Sequence, residues 1–470
     1  MSLLIIITFF SSCKNSEENF SESEYKKVNN TYVIKNVNII PMTANNKVIE
    51  NATVIIHNKK IQSINDSIPT NAITIDGTGK WLIPGLIDMH VHNLADINLG
   101  SNYPTKTASH YTDTQDFMTL FVANGVTTAF ELSGRVEHFA QRNEIQNGNV
   151  IGPRIALAFL IDGGNSGNTA NTASDGRQTV RLAKAQGYEF IKVYSQLNIE
   201  TYMAIIDEAD KQDMKVIGHI PMEFKGRTEE AFIPHFGMVA HAEEFSKQTD
   251  EFTDIEADRF AKMAKDNGAW VTPNLSNLVY IAKQARSLDN IRNLKSFKYV
   301  HPLMQSKWIV SNQYNQDSNP KRIAYFDQLV DFHIKLIKAF KKEGVPMVAG
   351  TDAGTSGIVW GFSLHDELEL MVGAGLSSEE VLVSATALPA TWLGISDKIG
   401  TIEVGKFADL VLLEKSPLED ISNTRKILGV FVDGRWINKP EIDNMLNEIT
   451  KHNAEKLGKD EYNWKKRRDY

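Results

Sequence analysis

A chain of 470 residues is too long for one average domain, and a large α/β barrel with a smaller companion is the natural division. Hydrophobic content of 42% and charged content of 23% are ordinary globular values, and a formal net charge of −8 shows no basic excess for nucleic acid. The single cysteine, Cys13, excludes any intramolecular disulfide.

The first residues, MSLLIIITFFSSC, form an apolar run of signal-peptide length that ends in small residues before Cys13. The run resembles the lipobox of bacterial lipoproteins, in which that cysteine becomes the lipidated first residue of the mature chain. It departs from that pattern in having no Lys or Arg ahead of the run and in placing Phe10 where a branched aliphatic residue is usual. A polar, acidic tether follows at 14–30. The expectation is therefore an exported protein held to a membrane, periplasmic or outer, through Cys13. No later segment is apolar for long enough to span a bilayer.

Residues 31–83 read as short strands, with alternating β-branched residues punctuated by Asn, Asp and Gly. The texture returns at 394–440 in ADLVLLE and ILGVFVDGRWI, so one small β-sandwich domain built from both chain ends is expected. Between them, over 84–393, strands alternate with helical patterns, which calls for a parallel sheet with helices outside it. Strands are predicted at LIPGLIDMHVH, VTTAFELSG, PRIALAFLI, FIKVYS, MKVIGHIP, MVAHAEEF, AWVTPNL and PMVAGTDAG, eight in all. Helices are predicted at 114–123, 179–186, 199–212, 255–267 and 364–372. Eight βα units make a (β/α)8 TIM barrel, an α/β fold whose active site gathers at the C-terminal ends of its strands. Three connections, 93–113, 162–177 and 276–343, are too long for plain links. The last is rich in aromatics and reads equally as a lid or as extra helices packed on the barrel. The tail at 441–470 reads as a polar helix ending in KKRRDY and carries no chemistry.

The apolar run WLIPGLIDMHVH ends in two histidines one residue apart. Alternation along a strand points His90 and His92 the same way, where they can grip one ion. Taken alone, two polar residues on the exposed face of a strand would look the same. Four other strand tips carry polar residues: Lys192 after FI, His219 after MKVIG, His241 in MVAHAEE and Asp352 after MVAGT. A buried lysine is costly as an ammonium. Carboxylated by CO2, it becomes a carbamate whose two oxygens can bridge two cations, which makes sense of a lysine beside histidines.

In that order PGLIDMHVH, FIKVY, VIGH, VAHAEE and GTDAG match the ligand motifs of the amidohydrolase superfamily, and TALPATWLGISDKIGTIEVGKFADLVLLEKSPLED resembles its return into the small domain. Over 31–440 the chain looks like the imidazolonepropionase-like and prolidase-like metal-dependent hydrolases. That resemblance implies two divalent metal ions, zinc being the expected ion. His90, His92 and Asp352 would hold the more buried one, His219 and His241 the other, and the Lys192 carbamate would bridge them. It also implies a hydroxide shared by the two ions as nucleophile, with Asp352 as general base and then general acid. One departure concerns the fifth motif, where many relatives have His-Ala-His and this chain has Gly218-His219-Ile220-Pro221. His219 could stand in the ligand's place or in its neighbour's, and in the second case the second metal loses a ligand and a mononuclear site becomes possible.

Tyr194 should face the same way as Lys192 and reach the oxyanion or substrate, unless it is a barrel-lining aromatic. His110 in the first long loop, Asn274 at the seventh strand tip and His365 after the eighth are candidates for substrate contact, though a capped helix start is the simpler role for His365. The remaining histidines, 57, 138, 235, 301, 333 and 452, lack strand-tip context. The expected activity is hydrolysis of an amide C–N bond in a small molecule, a dipeptide or N-acyl amino acid. The alternatives are a cyclic amide or lactone hydrolase, a deaminase, or a surface lipoprotein that binds without turnover. The oligomeric state, a homo-oligomer included, is not set by the sequence.

Overall fold

The computed structural model describes residues 30–94, 108–165 and 169–467; Cys13, the run before it and nearly all of the tether lie outside the described residues. Five strands come first: β1 (Thr31–Ile39), β2 (Ile49–His57), β3 (Lys60–Ile64), β4 (Ile73–Asp76) and β5 (Trp81–Pro84). The barrel strands follow as β6 (Leu86–Val91), β7 (Val126–Glu131), β8 (Arg154–Ile161), β9 (Phe190–Val193), β10 (Lys215–Gly218), β11 (Phe236–Ala240) and β12 (Trp270–Thr272). The chain closes with β13 (Leu410–Leu413), β14 (Ile427–Val432) and β15 (Arg435–Asn438), then a helix over Lys439–Lys456.

The two chain ends build one sheet of mainly antiparallel strands in the order β15-β14-β13-β5-β1-β2-β3. Its joint is β5, which pairs antiparallel with β13 on one side and parallel with the end of β1 on the other. The first half of β1 pairs with β4 instead, and the change of partner falls at Asn36, whose φ of 57° suits a residue that tolerates the left-handed region. Alternate residues such as Ile34, Val54, Leu82, Leu410 and Phe431 form the core of this domain. The β domain from both ends is thus as expected.

Strands β6 to β12 form a parallel seven-stranded sheet. Sheets covered on both faces select continuous apolar runs, and every residue of β6, β7 and β9 is buried. The eighth segment, 346–353, makes no ladder of its own but carries the closing hydrogen bonds. Val271 N–H donates to Pro346 O (3.0 Å), Met89 N–H to Ala349 O (3.0 Å), Asp352 N–H to His90 O (2.8 Å) and His92 N–H to Ala353 O (2.7 Å). The barrel is therefore closed by a seam between its first and last units.

Predicted helices occur within a few residues of expectation, at Thr114–Val122, Ile199–Lys211, Asp254–Asp266 and Phe362–Gly373. The helix predicted at 179–186 begins earlier, at Ala173, because Thr172 and Asp175 form a capping box that the apolar pattern does not display. A further helix, Val136–Gln146, is mostly polar and has little periodic signal. The long insert resolves into helices, chiefly Leu275–Arg286, Pro302–Val310 and Pro320–Glu343. Among the described residues no helix is long and apolar enough to cross a membrane.

One glycine fixes the geometry ahead of the site. Gly218 has φ of 153°, and a Cβ there would lie 2.1 Å from Val193 O, the acceptor of the His219 N–H. Gly218→Ala should therefore push β10 off β9 and cost about 1–3 kcal/mol or more, measured as a lower denaturant midpoint of the metal-free protein. An unchanged midpoint would show that the two strands have slack here.

Candidate metal centre

The strand tips deliver their side chains to one point at the C-terminal mouth of the barrel. His90 Nε2 is 3.3 Å from His92 Nε2, 3.1 Å from Lys192 Nζ and 3.2 Å from Asp352 Oδ1. Asp352 Oδ1 is also 3.0 Å from His92 Nε2, and its Oδ2 is 3.7 Å from His241 Nε2. The His90 and His241 rings stack with centroids 4.6 Å apart, and His219 meets His241 edge-on at 5.0 Å. All of these groups except His92 are buried below a tenth of their surface. Two sets can each surround a cation, His90 with His241 and Asp352, and His219 with His241 and Glu244.

Electrostatics prepares these groups to bind metal. Burial, followed by the Lys192 charge, holds His90 and His219 well below the ordinary imidazole value, so both rings are neutral and able to donate a lone pair. Burial alone would raise Asp352, but the hydrogen bond from His92 and the charge of its neighbours hold it below the ordinary carboxylate value. His90 Nδ1, His219 Nε2 and both ring nitrogens of His241 are buried with no hydrogen-bond partner. A carboxylate among imidazoles whose buried ring nitrogens are left without partners is what a divalent ion requires, and the residue set fits one.

The surrounding residues orient the ligands. His219 Nδ1 lies 2.7 Å from Ser195 Oγ and 3.3 Å from Glu244 Oε1, which fixes the ring, and its Nε2 is buried without a hydrogen-bond partner. Glu244, whose other oxygen accepts the Ile220 N–H at 3.1 Å, is kept ionised against its burial by Lys247. On the opposite side Glu131 ends β7 and lies 3.8 Å from His92 Nδ1, while accepting the backbone N–H of Asn93 (2.5 Å) and Ser133 (2.7 Å). His138 Nδ1 accepts the Arg135 N–H at 2.9 Å, so the neutral ring carries its proton on Nε2, which points to Glu131 at 3.5 Å. Asp88, fully buried and pushed up to about 7 by that burial, ties β6 to the seam by accepting from Thr351 Oγ1 at 2.7 Å and Thr351 N at 3.0 Å.

Two ligands sit in the left-handed region without being glycine, His241 with φ of 74° and Asp352 with φ of 63°; Asn274 follows at 53°. Such strain persists only where the surroundings over-determine it, and it clusters at functional sites. Tyr194 is brought to the site as expected: its ring stacks on His219 at 3.9 Å with Lys192 Nζ 5.7 Å from its centroid. Burial, with the nearby Asp352 charge, keeps its phenol protonated well above the ordinary value.

The other three candidates fare differently. Asn274 is buried and turns the chain from β12 into the helix Leu275–Arg286, its Oδ1 3.3 Å from Thr272 Oγ1. His110 is exposed at the end of the turn Ala108–His110 and is in neither ligand group. His365 Nδ1 is 2.9 Å from Thr424 Oγ1, and burial depresses the ring to about 3, so it joins the last barrel helix to the segment Ile421–Arg425 and is in neither ligand group.

Residues that sequence reasoning missed include Glu131, Glu244, Asp88, Asn277 and Glu367. Glu367, on the helix Phe362–Gly373, reaches across to accept the N–H groups of Leu275 (2.9 Å) and Ser276 (2.6 Å). Its burial pushes it from 4.5 up to about 7. The folded state then holds this proton more tightly than the unfolded chain does. The stability it contributes is complete below about 4.5 and lost as pH rises toward 7. Comparison of denaturation midpoints from pH 4 to 8 should show wild type losing stability relative to Glu367→Gln across that window. Parallel curves would refute the assignment.

The insert frames the mouth. Trp308 Nε1 donates to Gly354 O at 3.3 Å and stacks near Trp360 at 6.0 Å, and Trp360 Nε1 donates to His92 O at 2.9 Å. The helices of the insert are packed on the barrel and border the site at once.

Comparison with known proteins agrees with this architecture. The imidazolonepropionase of Thermoplasma volcanium is 24% identical over 394 residues, covering 79% of this chain and 86% of that relative. Among solved structures, a Xaa-Pro dipeptidase with bound methionine superposes with a TM-score of 0.67 at 22% identity, over 87% of this chain and 100% of that one. A bottromycin amidohydrolase superposes with a TM-score of 0.71 at 20% identity, over 90% and 91%. The sequence model described as Amidohydrolase family matches residues 81–437, a span that holds every ligand in the cluster and the return into the β domain. With its barrel, its end-built β domain and that match, the chain belongs to the amidohydrolase family and is a hydrolase acting on C–N bonds.

Proposed function

We propose that this protein hydrolyses an amide C–N bond in a small molecule, with a dipeptide or N-acyl amino acid as the leading substrate class. The convergence of His90, His92, Lys192, His241 and Asp352 on one point carries this reading. The likeness to a Xaa-Pro dipeptidase supports the dipeptide class, and that to a bottromycin amidohydrolase the hydrolysis of an amide.

In this reading His90, His92 and Asp352 would hold one divalent ion and His219 and His241 a second, with Lys192, as its carbamate, shared between them. When bound, the metal pair supplies an activated water and polarises the substrate carbonyl. Lys192 is fully buried, and carboxylation replaces its costly ammonium by an anion that the cations offset. Asp352 takes the proton of the attacking water and returns it to the departing amine, general base then general acid. Tyr194, held protonated, donates a hydrogen bond to the oxyanion that develops on the carbonyl. Cys13 anchors the exported chain to a membrane through lipid.

A second reading, opening of a cyclic amide, draws support from the extended similarity to an imidazolonepropionase. Release of free amine by metal-reconstituted protein across dipeptides, N-acyl amino acids and cyclic amides, with chelator-treated controls, distinguishes the two. Metal-dependent cleavage of linear substrates is the expected result; cleavage confined to cyclic ones moves the assignment to the second reading. Silence across the library with metal bound would sink both.

A further inference from the structure

The geometry points to Asn277 as the positioning residue that fixes the carboxylate of Asp352 in its working orientation. This rests on the reading of Asp352 as the proton shuttle. Asn277 Nδ2 donates to Asp352 Oδ2, across 75 positions of sequence and from a helix that supplies no ligand.

The backbone of Asp352 is pinned on every side. Its N–H is given to His90 O at 2.8 Å, and its carbonyl accepts Thr355 Oγ1 at 3.0 Å and the Thr355 N–H at 3.3 Å. What remains free is rotation of the carboxylate about the side-chain bonds. Oδ1 faces the Nε2 atoms of His90 and His92 at 3.2 and 3.0 Å, so that oxygen belongs to the ligand cluster. Oδ2 has His241 Nε2 at 3.7 Å, too long for a hydrogen bond, and takes the Asn277 amide on its other side. A quarter turn of the carboxylate would take both oxygens out of these contacts, and the Asn277 hydrogen bond opposes that turn.

Asn277 is itself held in place. It stands in the first turn of Leu275–Arg286, where the buried Glu367 captures the two preceding backbone N–H groups. Asn274, with φ of 53°, sets the direction of entry from β12. A rigid strand tip, a strained turn and a clamped helix end thus deliver one neutral donor to one oxygen. A neutral amide brings no charge to compete with a cation at Oδ1. It also occupies one lone pair of Oδ2, so a proton arriving on Asp352 must sit on the side that faces the histidines, where a departing amine can collect it.

Asn277→Leu, close in volume and without a donor, is the test, with Asn277→Ala as the second variant should leucine misfold and Asn277→Gln as the variant that keeps the amide. The expected result for the donor-less variants is a kcat lowered on the order of 10²-fold with KM unchanged, as for small misplacements of a catalytic group. Metal content should stay at the wild-type level, part of kcat should return in Asn277→Gln, and a crystal structure should show the Asp352 carboxylate rotated. Wild-type kcat, a loss that follows metal content or KM alone, or an Asp352 rotamer unchanged in Asn277→Leu would overturn the proposal. The two readings fail separately, because an active Asp352→Asn protein removes the shuttle itself, whereas the rotamer of Asp352 reports on Asn277 even without turnover.

Discussion

Asp352→Asn is expected to lower kcat/KM by about 10²–10⁴-fold, the usual worth of a positioned proton-transfer group, while the protein stays folded. The amide keeps one oxygen for the His90 and His92 side and nearly the same volume, but it cannot accept a proton from water or pass one to an amine. The surroundings that hold the aspartate ionised, His92 above all, gain nothing from a neutral residue, so some loss of metal affinity should accompany the loss of turnover. Steady-state kinetics on the substrate found by amine release, with metal measured per chain, checks both parts. A variant that retains full turnover would remove Asp352 from the chemistry.

Lys192→Met should be equally inactive and yet more stable than wild type when both are stripped of metal. Lys192 is fully buried, with its Nζ 3.1 Å from His90 Nε2 in a nest of imidazoles. Methionine fills a similar volume without the cost of burying an ammonium, so the apo variant should unfold at a higher midpoint. The metal-loaded comparison should reverse, because the bridge between the ions is lost and metal content falls from two per chain to one or none. Wild type prepared without CO2 should show the same loss, and bicarbonate should restore it. Two metals bound by Lys192→Met would overturn the bridging role. Opposite signs for the apo and loaded proteins are the mark of a residue retained for function at the expense of stability.

Legibility in the sequence followed how local each signal was. Seven barrel strands were readable because a parallel sheet buried on both faces demands unbroken apolar runs, as in Leu86–Val91. The polar residues at their tips followed from alternation and strand position, their roles as candidate ligands only from the family resemblance, and the placement of Tyr194 from its spacing to Lys192. The eighth unit had a strand's composition but became a seam, since Asp352 and Gly354 take positive φ and break the ladder. The carboxylates Glu131, Glu244 and Glu367 were not legible. Nothing local separates a glutamate that accepts from a metal ligand's ring, or from a helix start 91 positions away, from one on a solvated face. His138 escaped for a different reason: its partner Glu131 ends the strand just before it, but its own helix Val136–Gln146 is mostly polar and carries little periodic signal. The structural use of His365 was readable in kind from its place at a helix start, but its partner Thr424, 59 positions away, was not.

The seam that closes the barrel also sets when the site comes into being. His90 and Thr351 stand 261 positions apart, and the strand that bears the first ligands is hydrogen-bonded to the segment that bears the last. During synthesis, the pocket therefore cannot exist until the chain has been made through Asp352, and contacts of such long range make closure a late and slow event. An ion captured there acts as a clasp on a ring otherwise fastened by few backbone bonds, resisting its opening at the one joint where opening would release it.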